Sequence, residues 1–108
     1  MEILSEANVG IYLIVEFEWP RPFSQEHAQN ARTLHDVVQD KEWIKEVVAA
    51  SGGLGNGPPS IWIFWLPDYA ALDRLFRDQE DPVSRAYMTF FSQMAVVKDK
   101  VREEVAFL

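Results

Sequence analysis

The chain has 108 residues, a net charge of -7 and no cysteine; 48% of its residues are hydrophobic and 13% aromatic. That length suits one domain with one core, and so much apolar content excludes a disordered chain. The acidic balance, pI ≈ 4.7, argues against nucleic acid or an anionic membrane as partner, and a cysteine-free chain has no disulfide, thiol nucleophile, iron–sulfur or cysteine zinc site.

Residues 1–8 read as a lead-in without the basic and apolar regions of a signal peptide. No apolar run approaches the ~20 residues of a membrane span, so a cytoplasmic location is expected. Val9 to Trp19 read as the first strand. Ile11, Leu13, Val15, Phe17 and Trp19 fall on one face, a core face. Tyr12, Ile14, Glu16 and Glu18 fall on the other, which starts apolar and ends acidic, as suits a cavity wall or an interface. Pro20-Arg21-Pro22 stops the strand. Ser24 then caps a helix with Glu26 in its first turn. Ala28, Ala31, Leu34 and Val38 carry its apolar stripe, to about Lys41.

Residues 43–50 fit two periods. Val38, Lys41, Ile44 and Val48 would prolong the helix, whereas Ile44, Glu46 and Val48 alternate as in a strand. The strand is preferred, because Gly52 to Pro59 carries hairpin chemistry at Asn56-Gly57 and a hairpin needs a strand before it. One long helix over 24–50 would instead make a helix-rich, two-stranded domain. Ile61 to Leu66 are apolar on both faces, aromatic and β-branched, which predicts a strand covered on both sides. Pro67-Asp68 ends it, and Asp68 caps a helix over Tyr69 to Arg77. After a break at 78–81, Asp81-Pro82 restarts a helix with proline at its first position. Val83, Ala86, Tyr87, Phe90, Phe91 and Met94 are its stripe. The tail again fits two periods: Val97, Val101, Val105 and Leu108 as a helix, or Val101, Glu103, Val105 and Phe107 as a strand.

The order β-α-β-β-α-(β) predicts an α+β ferredoxin-like βαββαβ sandwich, an antiparallel sheet with helices on one face. The other face, rich in Trp, Phe and Ile, needs a cover. On so short a chain the expected cover is a second copy. The result would be a homodimer, or a multiple of dimers, whose facing sheets form a dimeric α/β barrel and can enclose a pocket.

The hairpin, then Ile61-Trp-Ile-Phe-Trp-Leu-Pro-Asp68, then Tyr69-Ala-Ala-Leu-Asp-Arg-Leu-Phe76, then Glu80-Asp81-Pro82 and Tyr87 resemble the second half of dimeric α/β-barrel proteins. NIPSNAP-like, antibiotic-biosynthesis-monooxygenase-like, EthD-like and muconolactone-isomerase-like proteins share this pattern loosely. The likeness is best over residues 52–91 and extends by element order over 9–108. It lies in structural punctuation, and no catalytic motif aligns residue by residue. The superfamily includes cofactor-independent oxygenases, isomerases, dehalogenation-type enzymes, haem-binding enzymes and proteins without known activity. The resemblance therefore implies the fold more strongly than a function.

Few residues offer chemistry. His27 and His35, eight apart on one helix, stand roughly 12 Å apart and cannot share a metal, so no metal site is expected. One could serve as a base or a haem ligand. His27 suits a capping role and His35 is the choice for catalysis, against the ordinary reading of a half-buried, hydrogen-bonded histidine. Glu16 and Glu18 stand roughly 7 Å apart on the face that carries Tyr12. In a pocket, one glutamate with a raised pKa could take a proton and Tyr12 could hold an oxyanion; the plainer reading is a solvated strand end. Trp62 and Trp65 point to opposite sheet faces, and with Ile14 they are the candidate substrate-binding residues for a flat hydrophobic molecule. The glycine run lacks the Lys-Ser/Thr of a phosphate loop, and Asp78, Glu80 and Asp81 lack the calcium-loop pattern. The sequence names no cofactor. The expected function is enzymatic, a cofactor-independent oxygenase or an isomerase acting on a hydrophobic small molecule. The alternative is a non-catalytic binding or assembly module.

Overall fold

The computed structural model describes residues 10–107. The lead-in, Val9 at the expected start of the first strand, and Leu108 lie outside them. Along the chain run β1 (Ile11–Glu18), α1 (Gln25–Val37), β2 (Glu46–Ser51), β3 (Ser60–Leu66), α2 (Tyr69–Arg77), α3 (Pro82–Phe91) and β4 (Ala95–Glu103). The strands form one sheet in the order β2-β3-β1-β4, each neighbour antiparallel.

The period-2 pattern of β1 and β3 sorts the two faces. Ile11, Leu13, Val15 and Phe17 are buried on one side, and Trp62, Phe64 and Leu66 join them there. Leu34 from α1 and Val38 at its C-cap, Leu75 from α2, and Val83, Phe90 and Phe91 from α3 close that core. At its centre Phe17 meets Phe90 and Phe91 edge-on, with ring centroids 5.6 and 5.4 Å apart.

Each helix starts on a side chain that satisfies a free backbone N–H. Ser24 Oγ accepts from the His27 N–H at 3.4 Å, and His27 Nδ1 accepts from the Ser24 N–H at 3.1 Å. The imidazole thus takes the place that glutamate holds in an ordinary capping box. Asp68 Oδ1 accepts from the Ala71 N–H at 2.9 Å. Asp81 Oδ1 accepts from the Val83 N–H at 2.8 Å, and its Oδ2 takes Arg74 Nε and Nη2, both at 2.8 Å. The Arg74 guanidinium also lies 4.4 Å over the ring of Trp43, so one arginine ties the loop before β2 to both later helices.

Several boundaries differ from the sequence reading, and the hairpin takes a definite form. The first helix ends at Val37 rather than near Lys41, because Asp40 turns into the left-handed region at φ 62°. The ambiguous 43–50 segment is a strand from Glu46 onward. Ile44 is not part of it; the loop turns this side chain into the core. The hairpin expected over Gly52 to Pro59 joins β2 to β3 as a loop over 52–59, closed by the Gly52 N–H donating to the Pro59 carbonyl at 2.8 Å. The tail is the strand β4, which ends at Glu103 and leaves Val105 and Phe107 exposed. Near its start Phe17 opposes both Val96 and Val97, a β-bulge with Val96 at φ 52°.

Candidate functional site

Cross-strand partners share a face, so the register fixes the sheet surface away from the helices. Three rows cross it. The first is Glu46, Trp65, Tyr12 and Arg102; the second Val48, Ile63, Ile14 and Lys100; the third Ala50, Ile61, Glu16 and Lys98. The middle of this face is apolar and its β4 edge is a line of three cations.

Side-chain contacts stiffen the surface. Tyr12 stacks on Trp65, with centroids 5.7 Å apart and planes 17° off parallel. The Lys45 ammonium sits 4.5 Å from the centre of the Trp65 ring. Trp65 Nε1–H donates to Glu104 Oε1 at 3.3 Å, and the same oxygen accepts from the Gly10 N–H at 2.9 Å. Glu16 Oε1 lies 3.8 Å from Lys100 Nζ, with Glu16 half-buried. A recess of about 110 Å³ opens between Tyr12, Glu46, Val48, Ile63 and Trp65. The arrangement offers a carboxylate, a phenol and a ring platform on one face, the elements of proton abstraction from a bound carbon or oxygen acid.

Tyr12, Ile14, Glu16 and Trp65 thus share one face, as the alternation predicts. Trp62 does not join them. It is 6% exposed, stacked beside Phe64 at 5.9 Å and against Phe90 at 5.6 Å, which corrects its assignment as a substrate-binding residue. His35 is also separated from Glu16. It sits on α1 in the helix layer, exposed, with Nδ1 3.6 Å from Asp36 Oδ1. A base there stands on the opposite side of the sheet from Glu16, so the two do not belong to one site. His27 caps α1, the plainer of its two readings.

Two features escape the sequence reading. The cation line Lys98, Lys100 and Arg102 has period 2, but the tail's two possible periods hide it. A cleft of about 600 Å³ also opens at the hairpin end of the sheet, between Glu18, Trp19, Arg21 and Phe23 on one side and Ser51 and Ser60 on the other. Its signal is the aromatic and proline run around Arg21, which reads as a strand stop.

Two tyrosines have displaced ionisation. Burial, and secondarily the charge of Asp99, pushes the Tyr87 phenol well above the ordinary tyrosine value. Tyr69 is raised because its hydroxyl donates to Glu103 Oε2 at 2.9 Å. Among the described residues no three His, Asp or Glu side chains gather as a metal site, and no helix is long and apolar enough to cross a membrane.

Sheet order, antiparallel pairing and one helical layer define an α+β ferredoxin-like fold. Solved structures of low identity share it. A dimeric ferredoxin-like protein of unknown function from Thermobifida fusca is 17% identical, with 92% of each chain covered and a TM-score of 0.61. An EthD family protein from Bacillus halodurans is 16% identical over 89% of this chain and 99% of its own, with a TM-score of 0.60. A hypothetical protein from Arabidopsis thaliana is 10% identical over 92% of this chain and 91% of its own, with a TM-score of 0.67. No protein-family model matches the chain, and no curated protein matches it by sequence.

Proposed function

We propose that the chain, as one domain, associates through its open sheet face into a homodimer, or a multiple of dimers, and that the facing sheets hold a hydrophobic small molecule. In this reading Trp65 and Ile14 contact the ligand, Glu16 moves the proton and Tyr12 stabilises the oxyanion, as cofactor-independent oxygenation or isomerisation requires. The observation that carries it is the apolar middle row, Val48, Ile63 and Ile14, flanked by Trp65, Tyr12 and Ile61 on a face that no helix covers among the described residues.

Charge supports one mode of association. A two-fold axis parallel to the strands sets the β4 edge of one subunit over the β2 edge of the other, so the cation line meets the edge that bears Glu46. An axis across the strands sets cations on cations. The Thermobifida fusca neighbour is itself described as dimeric. A monooxygenase-like or NIPSNAP-like assignment rests on the resemblance over residues 52–91 alone.

The Tyr12–Trp65 stack favours a second reading, in which the rings only pack subunits together. Native mass spectrometry separates the two. A dimer with retained small mass supports the pocket, and a ligand-free dimer supports the assembly module. A monomer overturns both. With a substrate in hand, Glu16→Gln is expected to abolish turnover.

A further inference from the structure

We propose that the cleft at the hairpin end of the sheet is a binding site for a small aromatic zwitterion, with the chemistry of a free aromatic amino acid. The proposal is independent of the sheet-face dimer. Ser60 opposes Phe17 in the register, so the floor of the cleft lies on the helix-covered side, while Glu18 borders it from the last residue of β1.

Three features converge there. The first is a rigid aromatic wall. Trp19 is held by edge contacts to Phe17 at 5.7 Å and Phe90 at 5.4 Å, and it meets Phe23 at 5.2 Å. Phe23 itself is 55% exposed, a large ring presented to solvent at the mouth of a concave surface. The second is the floor. Ser60 is 1% exposed and its Oγ lies 2.8 Å from Ser51 Oγ. That contact uses one of the two hydroxyl protons, and the exposed Ser51 is the hydroxyl of the pair that a ligand can reach. The third is the rim, where Glu18 and Arg21 bear opposite charges, both exposed, without an ion pair between them.

These charges choose the ligand class. An anionic aromatic would gain Arg21 but meet Glu18 and a chain of net charge -7. A cationic aromatic would gain Glu18 and meet Arg21. A zwitterion satisfies both, its carboxylate on the guanidinium fork and its ammonium on the carboxylate, with the ring against Trp19 and Phe23. An internal residue of a peptide carries neither backbone charge and would not fit.

Calorimetric titration with L-phenylalanine, phenylacetate and phenethylamine tests this. L-Phenylalanine is expected to bind more tightly than either singly charged analogue. Arg21→Gln should weaken L-phenylalanine and phenylacetate roughly tenfold while sparing phenethylamine. Glu18→Gln should weaken L-phenylalanine and phenethylamine and spare phenylacetate. Both side chains are exposed, so both variants fold. Absence of L-phenylalanine binding in the millimolar range overturns the proposal, and so does equal binding by the wild type and both variants.

Discussion

Gly10 has no room for a side chain. A Cβ there would stand 2.6 Å from the Leu66 carbonyl oxygen and 2.9 Å from Trp65 Nε1. The backbone must approach β3 this closely because the Gly10 N–H and the Trp65 ring share one acceptor, Glu104 Oε1. Gly10→Ala is therefore expected to cost about 1–3 kcal/mol, measured by urea unfolding. An unchanged midpoint would mean that the strand entry is looser than described. Ser84 is the opposite case. Its hydroxyl is fully buried and finds no partner among the described residues. Since an unpaired buried hydroxyl is a cost, Ser84→Ala should leave stability equal or raise it by up to ~1–2 kcal/mol. A clear loss would show that a water serves the hydroxyl.

At the scale of the element, the cap and the bulge carry the sharpest expectations. Asp81 caps α3 and holds Arg74, which in turn covers Trp43. Asp81→Ala removes a cap and strands a half-exposed arginine, with an expected loss of about 2 kcal/mol by thermal unfolding. Val96 holds a left-handed backbone that β-branched residues avoid. Glycine is the residue such bulges favour. Val96→Gly should thus be neutral or stabilising where glycine in a strand ordinarily destabilises, and a loss near 1 kcal/mol or more would remove the strain argument. The helix α3 also sets a pH limit through Tyr87. Its folded pKa lies above the unfolded value, so this contribution is complete below about pH 10 and is lost as pH rises toward the folded value. Phenolate absorbance from Tyr87 should appear together with loss of the helical circular dichroism signal. Full ionisation of all three tyrosines in a still-folded chain would contradict the burial.

At the scale of the molecule, the described residues form two layers, sheet and helices, and leave one sheet face uncovered. Ile63 lies in the middle row of that face, opposite Ile14 and Val48. In the proposed dimer, Ile63→Lys should weaken association by roughly 30-fold or more, read by light scattering across a dilution series, while circular dichroism stays that of the wild type. Unchanged association would move the interface elsewhere. The fold itself was legible where periodicity and punctuation agreed. Ile61 to Leu66, Asp68 before α2 and Asp81-Pro82 before α3 each carry a local signal that the tertiary structure keeps.

Sequence by itself determined the alternation that divides β1, so Tyr12, Ile14 and Glu16 were placed on one face by the geometry of a strand alone. It also determined the caps, because a cap is made within a few residues of the helix it serves. Tertiary structure alone decided which way Trp62 points, since both faces of β3 are apolar and only pairing with β1 gives its parity a direction. It decided the state of the tail in the same way: 96–108 suits either period until Val101 finds Leu13 across the sheet. The cation line and the hairpin-end cleft are products of that pairing, because each joins residues that only the folded sheet brings together.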